Sequence, residues 1–206
     1  MVYHVNEIFA SMQGEGFNTG RKMVFVRLAH CNLACDWCDT EFAGYIEMGL
    51  KSILQRVKSY GLDNVLITGG EPTVHDGFDE LVAGLKQQGY RVFLETNGLK
   101  PLSQQVEELI DYVAVSPKAC YANLYEKKDV IEFADEVRIV VDGDVLEFCE
   151  FIEEKIVAAR YYLSPCFKDG EFNFLETITT MGELNERTLG QKWALSIQAH
   201  KFAQIK

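Results

Sequence analysis

Residues 23–40 read MVFVRLAHCNLACDWCDT, and this stretch is the most informative part of the chain. Its first six residues form an apolar run that is typical of a buried strand. Cys31, Cys35 and Cys38 follow in one loop with the spacing C-x3-C-x2-C. A cubane iron–sulfur cluster has four irons, each of which takes one outside ligand. The loop therefore predicts a [4Fe-4S] cluster with one iron left open to activate a small molecule, which makes the three cysteines candidate catalytic residues as well as metal ligands.

Other uses of the cysteines are possible. Zinc is usually bound by four Cys or His ligands, often in two separated pairs. His30 is adjacent to Cys31, which makes it an awkward fourth ligand, and no second C-x2-C pair exists. Cys120, Cys149 and Cys166 lie far apart in sequence, and we assign no role to them. Structural zinc and ordinary buried cysteines remain the alternatives to the cluster.

Length and charge limit the class of protein. The chain has 206 residues, 48% of them hydrophobic, which is enough apolar material for a single domain spanning residues 1–206. The formal net charge is -11, from 31 acidic and 20 basic residues. Because a phosphate backbone attracts clustered Lys and Arg, such an acidic chain is a poor general binder of nucleic acid. We therefore expect no nucleic-acid partner.

The N-terminus and the cysteine content indicate the compartment. Residues 1–7 lack the basic region and apolar stretch of a signal peptide, and no apolar run reaches the ~18 residues that span a membrane. Six cysteines in a chain of this length without an export signal are expected to be reduced thiols. A cluster with an open iron also needs a reducing compartment, so we expect a cytoplasmic protein with no membrane association.

Apolar runs alternate with segments of helical periodicity along most of the chain. We predict strands at residues 23–28, 64–68, 92–96, 112–115, 137–141, 161–163 and 193–198. We predict helices at residues 50–60, 78–88, 102–110 and 145–156. Such alternation favours parallel β-α units with right-handed crossovers. Because a full eight-unit barrel needs ~250 residues, we predict an α/β fold with a partial, open parallel β/α barrel of about six core strands.

Short polar motifs follow four of the predicted strands, where the chemistry of parallel barrels gathers. They are Thr68-Gly69-Gly70-Glu71, Glu95-Thr96-Asn97-Gly98, Ser116-Pro117-Lys118 and Ser164-Pro165. Glycines in the first motif allow the backbone to approach a ligand closely, and Pro72 fixes the turn. Alone, Gly-Gly-Glu-Pro is a common turn, but its position one strand–helix step after the cysteine triplet favours a functional role.

The cysteine triplet and the Gly-Gly-Glu-Pro segment resemble those of the radical S-adenosylmethionine (SAM) enzymes. From about residue 5 to residue 201 the chain resembles one family of that superfamily, the 7-carboxy-7-deazaguanine synthases. The triplet identifies only the superfamily. The run Gln13-Gly14-Glu15-Gly16 with Arg27 downstream, and Cys38-Asp39-Thr40, are much more specific to the family. Residues 196–201 near the end of the chain match it as well.

This resemblance implies a radical SAM fold and a lyase activity. Members of the family convert 6-carboxy-5,6,7,8-tetrahydropterin to 7-carboxy-7-deazaguanine with release of ammonia, on the route to 7-deazapurines such as queuosine. A reduced [4Fe-4S] cluster splits SAM into methionine and a 5′-deoxyadenosyl radical, which takes a hydrogen from the pterin and later returns it. The implied cofactors are [4Fe-4S], SAM and Mg2+. A flavodoxin- or ferredoxin-type electron donor and a homodimer are expected by resemblance alone.

The resemblance also assigns a substrate site. Its residues are Met12, Gln13, Gly14, Glu15, Arg27, Thr68, Gln198 and His200. Arg27 is the candidate partner of the substrate carboxylate, because guanidinium groups pair bidentately with carboxylates. Glu15 is a natural acceptor for a guanine-like N–H edge. Without the resemblance, Arg27 would be interpreted as a surface ion pair and residues 13–16 as a glycine-rich turn. His200 is either a base or a buried histidine bonded to the backbone, and both interpretations stay open.

A second set of residues matches positions that contact SAM in the family. They are Gly70, Glu71, Ser116, Pro117, Lys118 and Ser164. Thr40 matches the position of the Mg2+ ligand. A single hydroxyl is a weak ligand, but Mg2+ keeps several waters and accepts substrate oxygens. The alternatives are an ordinary helix cap for Thr40 and a solvated lysine for Lys118.

Two other classes of protein compete with this interpretation. Another radical SAM enzyme, such as a glycyl-radical activase, shares the cysteine spacing but acts on a protein partner. The run at residues 13–16 with Arg27 favours a small anionic heterocycle instead. The second alternative is a non-catalytic protein, either an iron–sulfur carrier or a zinc-stabilised interaction module. Iron content distinguishes the zinc module from the enzyme, and SAM cleavage distinguishes the carrier from it.

Overall fold

The structure is a computed structural model that describes residues 1–38, 44–127, 129–168, 170–187 and 192–205. Its strands are β1 Val2–Met12, β2 Lys22–Leu28, β3 Ile46–Gly49, β4 Asn64–Gly69, β5 Arg91–Thr96, β6 Tyr112–Val115, β7 Phe133–Val141, β8 Val157–Pro165, β9 Phe167–Lys168, β10 Glu171–Phe172 and β11 Trp193–Leu195. Its α-helices are α1 Leu50–Lys58, α2 Phe78–Gln87, α3 Gln104–Glu107, α4 Ala122–Lys127, α5 Leu146–Lys155, α6 Phe174–Arg187 and α7 Ala199–Ala203.

One large sheet organises these elements, in the order β11-β8-β7-β6-β5-β4-β2-β1-β3. Strands β2, β4, β5, β6, β7 and β8 are parallel neighbours and correspond to the six core strands expected from the sequence. The three-residue strand β11 adds a parallel edge beside β8. At the other edge β1 runs antiparallel to both β2 and β3. In the described part of the chain β3 and β11 do not pair, so the sheet is open.

Several elements differ from the sequence prediction. Strands β1 and β3 were not predicted; β1 mixes polar and apolar residues because only part of one face is buried. The helix expected at residues 102–110 contains only Gln104–Glu107 in α3. Between the predicted strands at residues 161–163 and 193–198, where no element was predicted, the chain forms the small β9–β10 hairpin and the 14-residue helix α6.

Helices α1, α2 and α5 cover the outer face of the sheet because each presents buried apolar residues to it. In α1, Ile53 and Val57 are one turn apart and fully buried, as expected for an amphipathic helix. The helix ends before Gly61, whose φ of 65° is a left-handed conformation that favours glycine. Full burial of each such side chain stabilises the fold by about 1.5–3 kcal/mol relative to exposure. The helical layer therefore fixes the sheet whose inner face carries the site.

The inner face changes from aromatic to polar along the strands. Phe25, Leu66, Phe93 and Tyr112 are register partners on four neighbouring strands and close the lower end of the sheet. Because side chains alternate between faces, the next inward position on β2 is Arg27. The carboxyl ends of the strands consequently form a polar cavity above an apolar floor. Among the described helices, none is long and apolar enough to cross a bilayer.

Candidate active site

A cavity of about 1380 Å³ opens at the carboxyl ends of the parallel strands. Most residues predicted to bind substrate, SAM or the cluster lie on its wall: Met12, Gln13, Gly14, Glu15, Arg27, Cys31, Cys35, Cys38, Thr68, Gly70, Ser116, Lys118, Ser164, Gln198 and His200. Glu71 and Pro117 are not on the wall. Thr40 lies outside the described residues. The fold thus brings together motifs that are spread over nearly the whole sequence.

The cysteine loop contributes three thiols to one side of the cavity. Burial raises the pKa of the Cys35 thiol to about 12 and also raises that of Cys31 above its ordinary value, while the Lys118 ammonium opposes both shifts. Such thiols bind a metal by giving up the proton, and the charge of the metal then stabilises the thiolate. In the described ranges, no three His, Cys, Asp or Glu side chains converge on one metal ion. A cubane needs a different arrangement, because each thiolate binds its own iron. Three thiols on one wall fit that donor set.

The loop after β4 packs directly against the start of the cysteine loop. The Gly70 N–H donates to the Leu28 carbonyl at 3.0 Å, and the Glu71 N–H donates to the His30 carbonyl at 2.9 Å. A Cβ at position 70 would lie 1.8 Å from the His30 carbonyl oxygen, and one at position 69 would lie 2.0 Å from the Leu28 carbonyl oxygen. Glycine is required at both positions because one backbone segment packs directly against another. The sequence had suggested a different reason, close approach of the backbone to a ligand.

Glu71 is fully buried and its carboxylate is saturated by the protein itself. One oxygen accepts from the Thr73 N–H at 3.1 Å, and from the Thr73 and Thr96 hydroxyls at 2.7 Å each. The other oxygen accepts from the Asn97 N–H at 2.6 Å. Asn97 donates in turn to the side chain of Asn32 in the cysteine loop at 2.8 Å. Glu71 therefore joins the loops after β4 and β5 behind the cavity wall.

Another part of the wall is a hydrogen-bonded polar network around Glu95. Its carboxylate accepts from the Gln13 amide and the Thr68 hydroxyl, each at 2.9 Å, and from Arg138 at 2.5 Å. Burial opposes ionisation of Glu95, but the Arg138 guanidinium and the hydrogen bonds from Thr68 and Gln13 together bring its pKa below the ordinary value. The carboxylate is thus held ionised at the base of the substrate side.

Arg138 connects three carboxylates and was not found from the sequence. Its side chain is 4% exposed and donates to Glu15 at 2.9 Å as well as to Glu95. Its Nε lies 3.1 Å from a Glu136 oxygen without hydrogen-bond geometry. The signal that could have found it is a charged residue inside the otherwise apolar run of residues 137–141 in β7, because a buried arginine needs carboxylate partners. Glu95, in a motif noted from the sequence, was likewise not assigned to the site.

Arg27 presents part of its guanidinium to the cavity. Its Nε donates to Glu7 at 2.9 Å, and its carbon centre lies 5.6 Å from the centroid of the Phe9 ring. Within the described residues, the two terminal nitrogens make no hydrogen bond. A guanidinium anchored through Nε keeps the bidentate edge that pairs with a carboxylate.

On the cysteine side, Ser116, Lys118 and Ser164 form a second polar group. The Lys118 ammonium donates to the Ser116 hydroxyl at 2.8 Å and lies 5.1 Å from the centroid of the Trp37 ring. Ser164 is 3% exposed, and its hydroxyl has no hydrogen-bond partner among the described residues. Because an unpaired buried hydroxyl costs free energy, this group fits a polar ligand in the cavity.

The segment before and within α7 closes the cavity from above. The Ala199 N–H donates to the Gly14 carbonyl at 2.9 Å, and the Gln198 amide donates to Glu15 at 2.7 Å. A Cβ at position 14 would lie 2.0 Å from Nδ1 of His200, so the glycine makes room for the imidazole. Glu15 is consequently held from two sides, by Arg138 below and by Gln198 above.

Comparison with known proteins agrees with this geometry. Residues 26–123 match the Radical SAM superfamily, and with the relatives and the superposition that follow this match places the chain among the radical SAM enzymes and confirms the predicted open β/α barrel. The chain is 56% identical to a 7-carboxy-7-deazaguanine synthase of Neisseria meningitidis and 50% identical to one of Haemophilus influenzae, in each case over 99% of this chain and 94% of the relative. The crystal structure of QueE from Escherichia coli superposes with a TM-score of 0.71 at 25% identity, covering 97% of this chain and 95% of that one. The chain belongs to the 7-carboxy-7-deazaguanine synthase family.

Proposed function

We propose that the chain converts 6-carboxy-5,6,7,8-tetrahydropterin to 7-carboxy-7-deazaguanine with release of ammonia. Relatives that match nearly the full chain are named 7-carboxy-7-deazaguanine synthase, after the product of this reaction. One observation of the structure carries the proposal further: a hydrogen-bonded set of donors and acceptors around Glu95 lines the cavity, and the guanidinium of Arg27 lines the same cavity. This arrangement suits a flat heterocycle with an N–H edge and a carboxylate.

The cavity is large enough for two ligands side by side. Its volume of about 1380 Å³ exceeds the roughly 300–1,000 Å³ that is typical of a pocket for one small-molecule ligand. SAM would lie on the side of Gly70, Ser116, Lys118 and Ser164, and the pterin against the Glu95 network. Enclosing both excludes water from the radical step, which prevents side reactions.

Cys31, Cys35 and Cys38 would hold the [4Fe-4S] cluster. When bound, the cluster supplies the reductive cleavage of SAM that generates the carbon radical. Lys118 and the Ser164 hydroxyl would bind the polar groups of SAM, because the lysine brings a positive charge and the serine an unused donor. We assign Gly70 and Ser116 to the same subsite as neighbours on the wall.

The substrate side would work by orientation. Arg27 would pair with the substrate carboxylate, while Thr68, Gln13 and Glu15 are held by the network in fixed positions for the heterocycle. The backbone of Met12 and Gly14 lies on the same wall. Because Glu15 stays paired with Arg138 and Gln198, it can accept an N–H from the ring without moving.

Further features of the proposal rest on the family alone. They are Mg2+ bound at Thr40, a homodimer, a flavodoxin- or ferredoxin-type electron donor and a cytoplasmic location. We also include the product's use in 7-deazapurine biosynthesis. Mg2+ dependence of turnover that disappears in Thr40→Val would support the metal assignment.

Product mass spectrometry tests the proposal. The cluster is reconstituted anaerobically, and SAM, a chemical reductant, Mg2+ and 6-carboxytetrahydropterin are added. We expect a product lighter than the substrate by one ammonia with little net loss of SAM, and no product from Cys35→Ala. Accumulation of 5′-deoxyadenosine without that product would contradict the substrate, and a loaded protein that makes neither would contradict the enzyme class.

A further inference from the structure

The short 3-10 helix Ala119–Tyr121 lies against the cysteine loop. The Tyr121 hydroxyl donates to the Ala34 carbonyl at 2.8 Å and accepts from the Ala34 N–H at 3.1 Å. One side chain thus satisfies both backbone groups of the residue directly before Cys35. The same turn also brings the Cys120 thiol into contact with the Cys35 thiol.

Few other contacts hold this part of the loop. Within the described residues, the Leu33 N–H donates to the Cys31 sulfur at 3.4 Å, and the Cys38 N–H donates to the Cys35 carbonyl at 3.1 Å. From outside the loop, Asn97 holds Asn32. Leu33 packs against the hydrophobic core. Within the described residues, the side-chain hydrogen bonds that reach the chain between Cys31 and Cys35 from outside the loop are therefore the bond at Asn32 and the pair at Ala34 that Tyr121 supplies.

The turn that carries Tyr121 begins on the SAM side of the cavity. Lys118, directly before it, lines the cavity, bonds Ser116 and lies over the ring of Trp37 in the cysteine loop. The segment from Ser116 to Tyr121 consequently touches both the proposed SAM subsite and the loop that carries the thiols.

We propose that Tyr121 is a positioning residue that holds Cys35 in place for the cluster, because among the described residues it is the side chain that bonds the backbone of Ala34. This inference rests on the proposed function, because it requires a cluster at the three cysteines. Loss of iron requires the loop to open, and a loop released at Ala34 opens more often. Removal of the hydroxyl should therefore accelerate loss of the cluster without changing the fold.

The test compares Tyr121→Phe with Tyr60→Phe. Tyr60 is a matched control because its hydroxyl donates to a backbone carbonyl, that of Ile8, at 2.7 Å, and it is not among the residues that line the cavity. Wild type and both variants are loaded anaerobically to equal iron content. An iron chelator is then added without SAM, and the loss of visible absorbance is followed.

We expect Tyr121→Phe to lose iron about tenfold faster than wild type, as befits the loss of one or two hydrogen bonds of ordinary net strength. Tyr60→Phe should lose iron at the wild-type rate, and the thermal midpoint of cluster-free Tyr121→Phe should match that of Tyr60→Phe. Equal iron loss in Tyr121→Phe and wild type, or equally fast loss in both variants, would overturn the role of Tyr121. A wild-type protein that binds no cluster would instead contradict the proposed function.

Discussion

Replacing Glu71 by glutamine should destabilise the protein before any cofactor is bound. The carboxylate accepts hydrogen bonds from the Thr73 N–H and hydroxyl, from the Thr96 hydroxyl and from the Asn97 N–H, and it is 0% exposed. A carboxylate only accepts, whereas an amide presents an NH2 group on one side. The variant therefore places a donor opposite one of the two backbone N–H groups, whichever way the amide is turned.

The size of the effect follows from those bonds. The hydroxyls can rotate to new acceptors, but a backbone N–H cannot. One buried donor without an acceptor costs ~1–3 kcal/mol, and the remaining hydrogen bonds also lose their charge assistance, so we expect Glu71→Gln to lower the free energy of unfolding by about 2–4 kcal/mol. Domains of this kind are stable by only about 5–15 kcal/mol, so the loss is easily measured.

Urea denaturation of the cluster-free protein, followed by circular dichroism, measures this change. Thr73→Val removes one hydroxyl donor and should cost only about 1 kcal/mol. Glu126→Gln repeats the chemical change at an exposed position of α4 and should stay within about 0.5 kcal/mol of wild type. A free energy of unfolding for Glu71→Gln within 0.5 kcal/mol of wild type, at an unchanged m-value, would refute the reasoning.

Three further predictions concern the cavity itself. Burial opposes ionisation of Glu95, but Arg138 and the hydrogen bonds lower its pKa in the folded protein below the ordinary 4.5. The ionised carboxylate therefore stabilises the fold above pH 4.5, and this stabilisation is lost as the pH falls through the folded pKa. Urea midpoints measured between about pH 6 and pH 3 should fall less steeply in Glu95→Gln than in wild type. Ser164→Ala should leave the cluster-free protein as stable as wild type or up to about 1 kcal/mol more stable, since the hydroxyl is buried without a partner among the described residues. The same substitution should weaken SAM binding by about tenfold, as measured by calorimetry. Arg27→Lys should raise the KM for the pterin by at least about tenfold and leave 5′-deoxyadenosine formation intact, and Arg56→Lys at the protein surface should change neither. An unchanged KM in Arg27→Lys would contradict the pairing of Arg27 with the substrate carboxylate.

The family and most of the parallel sheet could be predicted because they depend on local patterns. Three cysteines in one loop indicate their chemistry by their spacing together with the neighbouring motifs, and apolar runs such as residues 64–68 and 92–96 indicate strands within a few residues. The amphipathic strand β1, which lies between β2 and the edge strand β3, gave no such signal, since its inward residues are interrupted by polar ones. The helix predicted at residues 102–110 was too long because periodicity does not report where the backbone stops making helical hydrogen bonds.

The sequence by itself determined the class of chemistry and the position of the polar motifs at strand ends. Only the tertiary structure decided which polar residues share a wall. Arg138 meets Glu15 and Glu95 across separations of 123 and 43 residues, and Gln198 meets Glu15 across 183. It also decided that Glu71 points behind the wall while its neighbour Gly70 lies on it. The physical reason is range: propensity and spacing act over a few residues, whereas the partners of a buried charge are set by the register of strands that are far apart in the chain.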